Sequence, residues 1–390
     1  MRDRLQPGEA MKSRILIYGV DHFLGALASR VAVARGVNHI GAGRDIAPVA
    51  QHATAMAGPL VAGGPVEPRI FTPGDAHRIA GQLDDVAVLV NAAPLAEADF
   101  SSLLIACLAT GTHFIDLGAD RMTVAALAAR DEAAKQAGVM LIAGAGFDFA
   151  AVDALAARLA YILPGARAIA LAVKRGLLLD AEAHALIAAV RSPGEMLKNG
   201  QLVASKAAER GLDVDFDTGP ETAWLAPWNG YVAAARHRSA YSTIDCFEAL
   251  PEALERVLTA GGLKTRLFRR GWGLKRLAKK LGRRRTKLTE LQLTRGSAVV
   301  WGEARAPDGT VRRARLETPD AHLYSAEAAV VLARRALGGA ARAGYQLPSA
   351  IGGAALVEEI PGVAWRELAD PADNLALEID HPLAVDARNG

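Results

Sequence analysis

The feature that most restricts the fold of this chain is a rhythm. Over roughly its first 150 residues, short apolar runs alternate with longer alanine-rich stretches. Residues 15–18 read as a strand that ends at Gly19, and residues 24–34 as a helix. His39 and Ile40 lead to a second strand end at Gly41, Ala42 and Gly43. Residues 86–90 are continuously apolar before Asn91, the pattern of a strand buried on both faces. A helix over 100–109, a strand over 113–117, a helix over 124–137 closed by Gly138 and a strand over 139–142 continue the series. Repeated strand–helix–strand succession with short connections calls for a parallel sheet covered by helices on both faces.

The rhythm changes after Asp153. Residues 154–163 read as a helix stopped by Pro164, and 168–174 as a strand. Residues 202–250 read as irregular, with Pro220, Pro227 and several aromatics. Runs over 290–305 and 311–317 flank Pro307, Asp308 and Gly309, a strong hairpin signal. Residues 325–337 read as a helix ended by Gly338 and Gly339. The expected class is α/β: a Rossmann-like doubly wound parallel sheet over 11–150, then a mixed α+β domain over 151–323. A C-terminal segment, 324–390, is expected to return to the first domain. A length of 390 residues suits two to three domains.

The turn after the first strand is a candidate binding site. It runs Gly19, Val20, Asp21, His22, Phe23, Leu24, Gly25. Glycines at such a turn permit a sharp bend, close approach of backbone to a pyrophosphate, and tight helix–strand packing. The helix N-terminus adds free N–H groups and partial positive charge. A middle glycine is missing, and His22 holds its place, either crowding a phosphate or donating a hydrogen bond to one. The same turn, binding nothing, is the alternative. At the second strand end, Gly43 precedes Arg44 and then Asp45. A guanidinium there suits a 2′-phosphate, so NADP is favoured over NAD.

On these residues the chain resembles the saccharopine dehydrogenase-like oxidoreductases, including trans-acting enoyl reductases, over nearly its whole length. The carrying blocks are Gly19…Gly25, Ala42-Gly43-Arg44, and Asn91-Ala92-Ala93-Pro94-Leu95, where the family's glycine is lost. They continue with Gly111-Thr112-His113-Phe114-Ile115-Asp116-Leu117 and with Gly146-Phe147-Asp148, which runs on to Asp153 with Ala151 in place of a proline. Late blocks are Ala226-Pro227-Trp228, Val300-Trp301-Gly302-Glu303, and the run from Gly344 to Ser349. The resemblance implies a reductase using a nicotinamide dinucleotide, and a homodimer through the second domain. A Gly/Ser/Thr-rich stretch expected after the first strand of that domain reads instead Arg175, Gly176, Leu177, Leu178, Leu179, Asp180, which points to a small hydrophobic substrate, a lipid or polyketide acyl group.

Hydride transfer asks little of a protein beyond orientation and an acid or base near the reacting carbon. Strand C-termini are where open α/β sheets bind ligands. Asn91, Ala92, Ala93 and Pro94 are placed there beside the dinucleotide, with Gly19, Asp21, His22, Phe23, Leu24, Gly25, Gly43 and Arg44. His113, Asp116 and Asp148 are the acid–base candidates. His113 and Asp116 differ by three and point to opposite faces of a regular strand. Asp153 reads as a helix cap. No metal is expected: the chain has no H-E-x-x-H and no C-x-x-C. It also lacks G-x-S-x-G, a Walker loop, and a tyrosine followed four residues later by lysine.

The net charge of +3 hides an asymmetry. Residues 264–287 hold twelve basic side chains and no acidic one, so the remainder carries −9. This is not the pattern of a uniformly basic nucleic-acid binder. Leu274, Leu277 and Leu281 fall at helical spacing among Lys and Arg. Three readings stand: a solvated helix whose leucines pack on the body, a membrane-surface helix, or a docking face for an acidic acyl carrier protein. Two distant cysteines, Cys107 and Cys246, fit a reducing compartment, and no apolar run approaches the ~20 residues of a bilayer span. A cytoplasmic protein, peripheral at the membrane in the second reading, is expected. A non-catalytic lipid- or partner-binding protein on a degenerate Rossmann-like fold is the alternative to a reductase.

Overall fold

A computed structural model describes residues 12–57, 65–118, 120–192, 194–217, 219–226, 230–236, 240–259, 272–282, 285–368 and 378–380. The chain divides into two compact units. The first is drawn from Met1–Gly118, Ala126–Ala143 and Ala329–Gln346, and the second from Ala119–Ala125, Gly144–Ala328 and Leu347–Gly390. The C-terminal return to the first unit therefore ends at Gln346, and the chain then rejoins the second.

The first unit holds a seven-stranded sheet. Its strands are β1 (Arg14–Tyr18), β2 (His39–Gly43), β3 (Glu67–Ile70), β4 (Val86–Asn91), β5 (His113–Asp116), β6 (Met140–Ile142) and the late strand Gly344–Gln346. All pairings are parallel. In space the order is β3-β2-β1-β4-β5-β6, with Gly344–Gln346 outside β6. Ile15, Leu16, Ile17, Val88, Leu89 and Val90 are buried, as strands covered on both faces must be. The strand order reverses between β1 and β4, and the crevice beyond their carboxyl ends is where such sheets bind ligands.

The second unit holds a ten-stranded mixed sheet. Its members include β7 (Ala168–Lys174), β8 (Gly194–Lys198), β9 (Gln201–Ser205), β10 (Arg210–Asp215), β11 (Pro220–Leu225), β12 (Thr243–Glu248), β13 (Ser297–Arg305) and β14 (Val311–Pro319). β7 and β12 pair in parallel, and the other pairings are antiparallel. The helix Phe147–Ile162 lies on this sheet: a Cβ at Gly302 would come within 2.8 Å of Leu159 and 3.1 Å of Leu155.

Several boundaries differ from the sequence expectation. Residues 202–250, read as irregular, supply most of β9 and all of β10, β11 and β12. Pro220 sits at the first position of β11, where its missing N–H is tolerated. The run read as strand from residue 290 begins with a helix, Glu290–Arg295, started by a Thr289–Gln292 capping box, and becomes β13 only at Ser297. The helix read from residue 154 begins at Phe147, so Asp153 is an interior position and not a cap. It is buried, and its carboxylate accepts the Ser349 N–H at 2.6 Å. Burial raises that carboxyl to about 6, against the bonds it accepts. Residues 124–137 form two helices, Arg121–Ala128 and Asp131–Gln136.

Candidate functional site

The turn after β1 is built by close backbone contacts. Gly19 has φ +98°, a region that favours glycine, and a Cβ there would lie 2.7 Å from the Ala93 nitrogen. A Cβ on Gly25 would lie 2.1 Å from the Gly19 carbonyl oxygen. The amides of Gly19 and Val20 both donate to the Ala42 carbonyl, and His22 N–H donates back to Gly19. The helix Phe23–Ala34 starts at once, with His22 as its N-cap residue and no side chain closing the cap. First-turn amides of a helix have no intrahelical acceptor, so this end offers donors and partial positive charge. The His22 imidazole does not lie buried in the turn. Its side chain is 49% exposed, and Nε2 stands 4.0 Å from Asp21 Oδ1.

The opposite wall comes from the end of β4. Asn91 is buried; its Nδ2 donates to Asp116 at 2.7 Å and to the Ala93 carbonyl at 3.2 Å, while its Oδ1 accepts the Ala93 N–H. Asn91 and Asp116 therefore lock the tips of β4 and β5 together. They hold Ala92 and Ala93 against the glycine turn, and Pro94 is left exposed. His113 faces away from this pair. Its Nδ1 accepts the Met140 N–H at 3.1 Å, and burial lowers its pKa, so the ring is a satisfied neutral group joining β5 to β6. Arg44 is half exposed, and its guanidinium is held by Asp99 at 3.0 Å.

The second unit contains a charge cluster that the sequence analysis did not assemble. Arg175, just after β7, pairs with Asp148 and Glu248, each at 3.0 Å. The His322 Nε2 lies 2.9 Å from Glu182, and its Nδ1 lies 3.0 Å from Asp320. Glu182 Oε2 also accepts the Leu179 N–H, and Asp320 Oδ1 accepts the His322 N–H. With a carboxylate at each ring nitrogen, both nitrogens must donate, which requires imidazolium. Burial opposes that charge, but the bonds to Asp320 and Glu182 outweigh it and raise the ring to about 9. Four carboxylates against two cations leave the group net negative. His322 and Asp320 are buried, Glu182 is about a third exposed, and Asp148 is about half exposed.

No protein-family model matches the sequence, and no curated protein matches it. Among solved structures, apo saccharopine dehydrogenase (L-Glu forming) from Saccharomyces cerevisiae aligns with TM-score 0.65 at 11% identity, over 92% of this chain and 100% of that one. The chain has the saccharopine dehydrogenase-like fold. Two further structures align at lower scores. A meso-dapdh mutant from Clostridium tetani, solved with DAP, gives 0.45 at 14% identity over 90% and 98% of the two chains. GenD2 from gentamicin A biosynthesis, solved with NAD, gives 0.41 at 13% identity over 94% and 100%.

Of the residues expected from the sequence, the first unit gathers Gly19, Asp21, His22, Phe23, Leu24, Gly25, Gly43, Arg44, Asn91, Ala92, Ala93 and Pro94 around one end of its sheet. Asp148 belongs to the charge cluster of the second unit. Of the apolar stretch after β7, Leu178 is buried in the core and Leu177 is exposed. The basic segment lies partly outside the described residues, including Leu267, Phe268, Arg269 and Arg270. Within it, Trp272–Gly282 is a helix whose Leu274 and Leu277 are buried with Leu186, Ile187 and Leu254, a cluster against which Leu281 also packs. That matches the reading of leucines packed on the body. Lys275, Arg276, Lys279 and Lys280 are exposed. No described helix is long and apolar enough to cross a membrane, and the described residues hold no metal-ligand cluster.

Proposed function

We propose that this chain is a nicotinamide-dinucleotide-dependent oxidoreductase of the saccharopine dehydrogenase-like family. The observation that carries the reading is the turn at Gly19–Gly25. Gly19 packs against Ala93 and Gly25 against the Gly19 carbonyl at distances that only glycine permits, and an uncapped helix N-terminus opens beside the turn at the point where the strand order reverses. These residues fit a pyrophosphate: the side chain that replaces the middle glycine is half exposed and makes no cap bond to the first-turn amides, which are left to an anion. A bound dinucleotide supplies or accepts the hydride. The protein's part is to bind and orient, with Ala92 and Ala93 held by the Asn91–Asp116 bond as a fixed wall.

A substrate with an apolar acyl portion is the class this reading takes, supported by the exposed Leu177 next to the Arg175 cluster. A homodimer, and contact with an acidic carrier or an anionic surface through Lys275, Arg276, Lys279 and Lys280, belong to the same proposal. The test is titration of the full-length protein with NADH and with NADPH, following nicotinamide fluorescence. Saturable binding of either is expected. Absence of both at millimolar concentration refutes the reading and leaves a non-catalytic binding protein.

A further inference from the structure

We propose that Asp21 selects the cofactor: its Oδ1 accepts a hydrogen bond from the adenosine ribose of NAD, so that the site takes NAD(H) over NADP(H). The inference rests on the dinucleotide reading and deepens it.

The geometry begins with Gly43. Asp21 leaves the turn after β1 and lies over the tip of β2, where a Cβ on Gly43 would come 2.7 Å from Asp21 Oδ1. Any larger residue at the strand tip would displace the carboxylate. Asp21 Oδ2 accepts the Arg44 N–H at 3.3 Å, which fixes the group in place. Its side chain is only 8% exposed, yet Oδ1 has no hydrogen-bond partner. A buried carboxylate oxygen without a donor is costly, and native proteins rarely leave one unexplained. In a doubly wound sheet the second strand tip faces the adenosine ribose. A 2′-hydroxyl there supplies the missing donor. A 2′-phosphate there brings further negative charge to a carboxylate already in place.

Arg44, which the sequence alone places on a 2′-phosphate, is committed elsewhere. Its guanidinium pairs with Asp99 at 3.0 Å. Asp45, the next residue, is exposed and acidic. The strand tip therefore carries Asp21, Asp45 and Asp99 against Arg44 and the half-exposed His22, whose ring must swing away from its 4.0 Å position beside Oδ1 as the ribose enters.

Equilibrium binding of NADH and NADPH to the full-length protein, read by nicotinamide fluorescence at fixed ionic strength, tests this. The wild type is expected to bind NADH about tenfold or more tightly than NADPH, as one charge-assisted hydrogen bond allows. Asp21→Ser is expected to bring that ratio close to one, and the isosteric Asp21→Asn to move it the same way if the serine variant is unstable. Equal or tighter NADPH binding by the wild type overturns the role of Asp21 and leaves the dinucleotide reading standing. An unchanged ratio in both variants, with heat stability retained, does the same. Binding of neither nucleotide overturns both.

Discussion

Replacing His322 with glutamine should remove a pH dependence of stability that the wild type possesses. In the fold the ring is raised from its ordinary 6.5 to about 9 by Asp320 and Glu182, against the cost of burial. A group whose folded pKa is raised contributes its full stabilisation below the unfolded value and loses it as pH climbs to the folded one. The window is therefore about pH 6.5 to 9, and stability falls upward through it. At roughly 1.36 kcal/mol per pH unit the whole effect is about 3 kcal/mol, and it applies to a side chain only 5% exposed. The assay is urea unfolding at constant ionic strength from pH 6 to 9.5, with wild type and His322→Gln measured side by side. The gap between them should shrink by about 3 kcal/mol across that range, because glutamine does not titrate. Parallel curves would refute an imidazolium between two carboxylates. Glu182, lowered by the same bond, acts in the opposite direction: its share is present above the ordinary 4.5 and is lost in acid.

Three other outcomes are expected. His22→Gly should tighten NADH binding, by about tenfold if the ring must move to admit the ribose; weaker binding would mean that the imidazole donates to the phosphate. Gly25→Ala places a methyl 2.1 Å from the Gly19 carbonyl, which backbone cannot relieve cheaply, so NADH affinity and melting temperature should both fall, and unchanged values of both would contradict the turn described here. Leu277→Ala should cost about 2–4 kcal/mol in urea, as a buried leucine does, whereas an unchanged midpoint would mean that this leucine is not part of the core.

The first unit was legible because its signals are local. Continuous apolar runs marked β1 and β4, and one glycine turn marked the site. The second unit was less so. In β10 the buried Leu212 and Val214 alternate with aspartates, and in β11 only the last three residues are buried, after a Pro220 that argues locally against a strand although it occupies a tolerated first position. The Thr289–Gln292 pair was a readable helix start that the apolar run behind it obscured. The Arg175 and His322 cluster had no local signal: Glu182 and His322 are 140 positions apart, and only the folded chain joins them. Arg44 shows the limit of motif reading, since its identity suggested a phosphate partner while Asp99, 55 positions away, claims its guanidinium.

The late strand Gly344–Gln346 completes the edge of the first sheet beside β6, and the residues after it belong to the second unit. Neither unit is thus a continuous stretch of polypeptide, and no single cut releases either one whole. During translation, the first sheet must wait with β6 unpaired on one side until about 200 further residues have been added. A nonsense mutation anywhere before residue 344 would leave that margin bare, an invitation to edge-on aggregation.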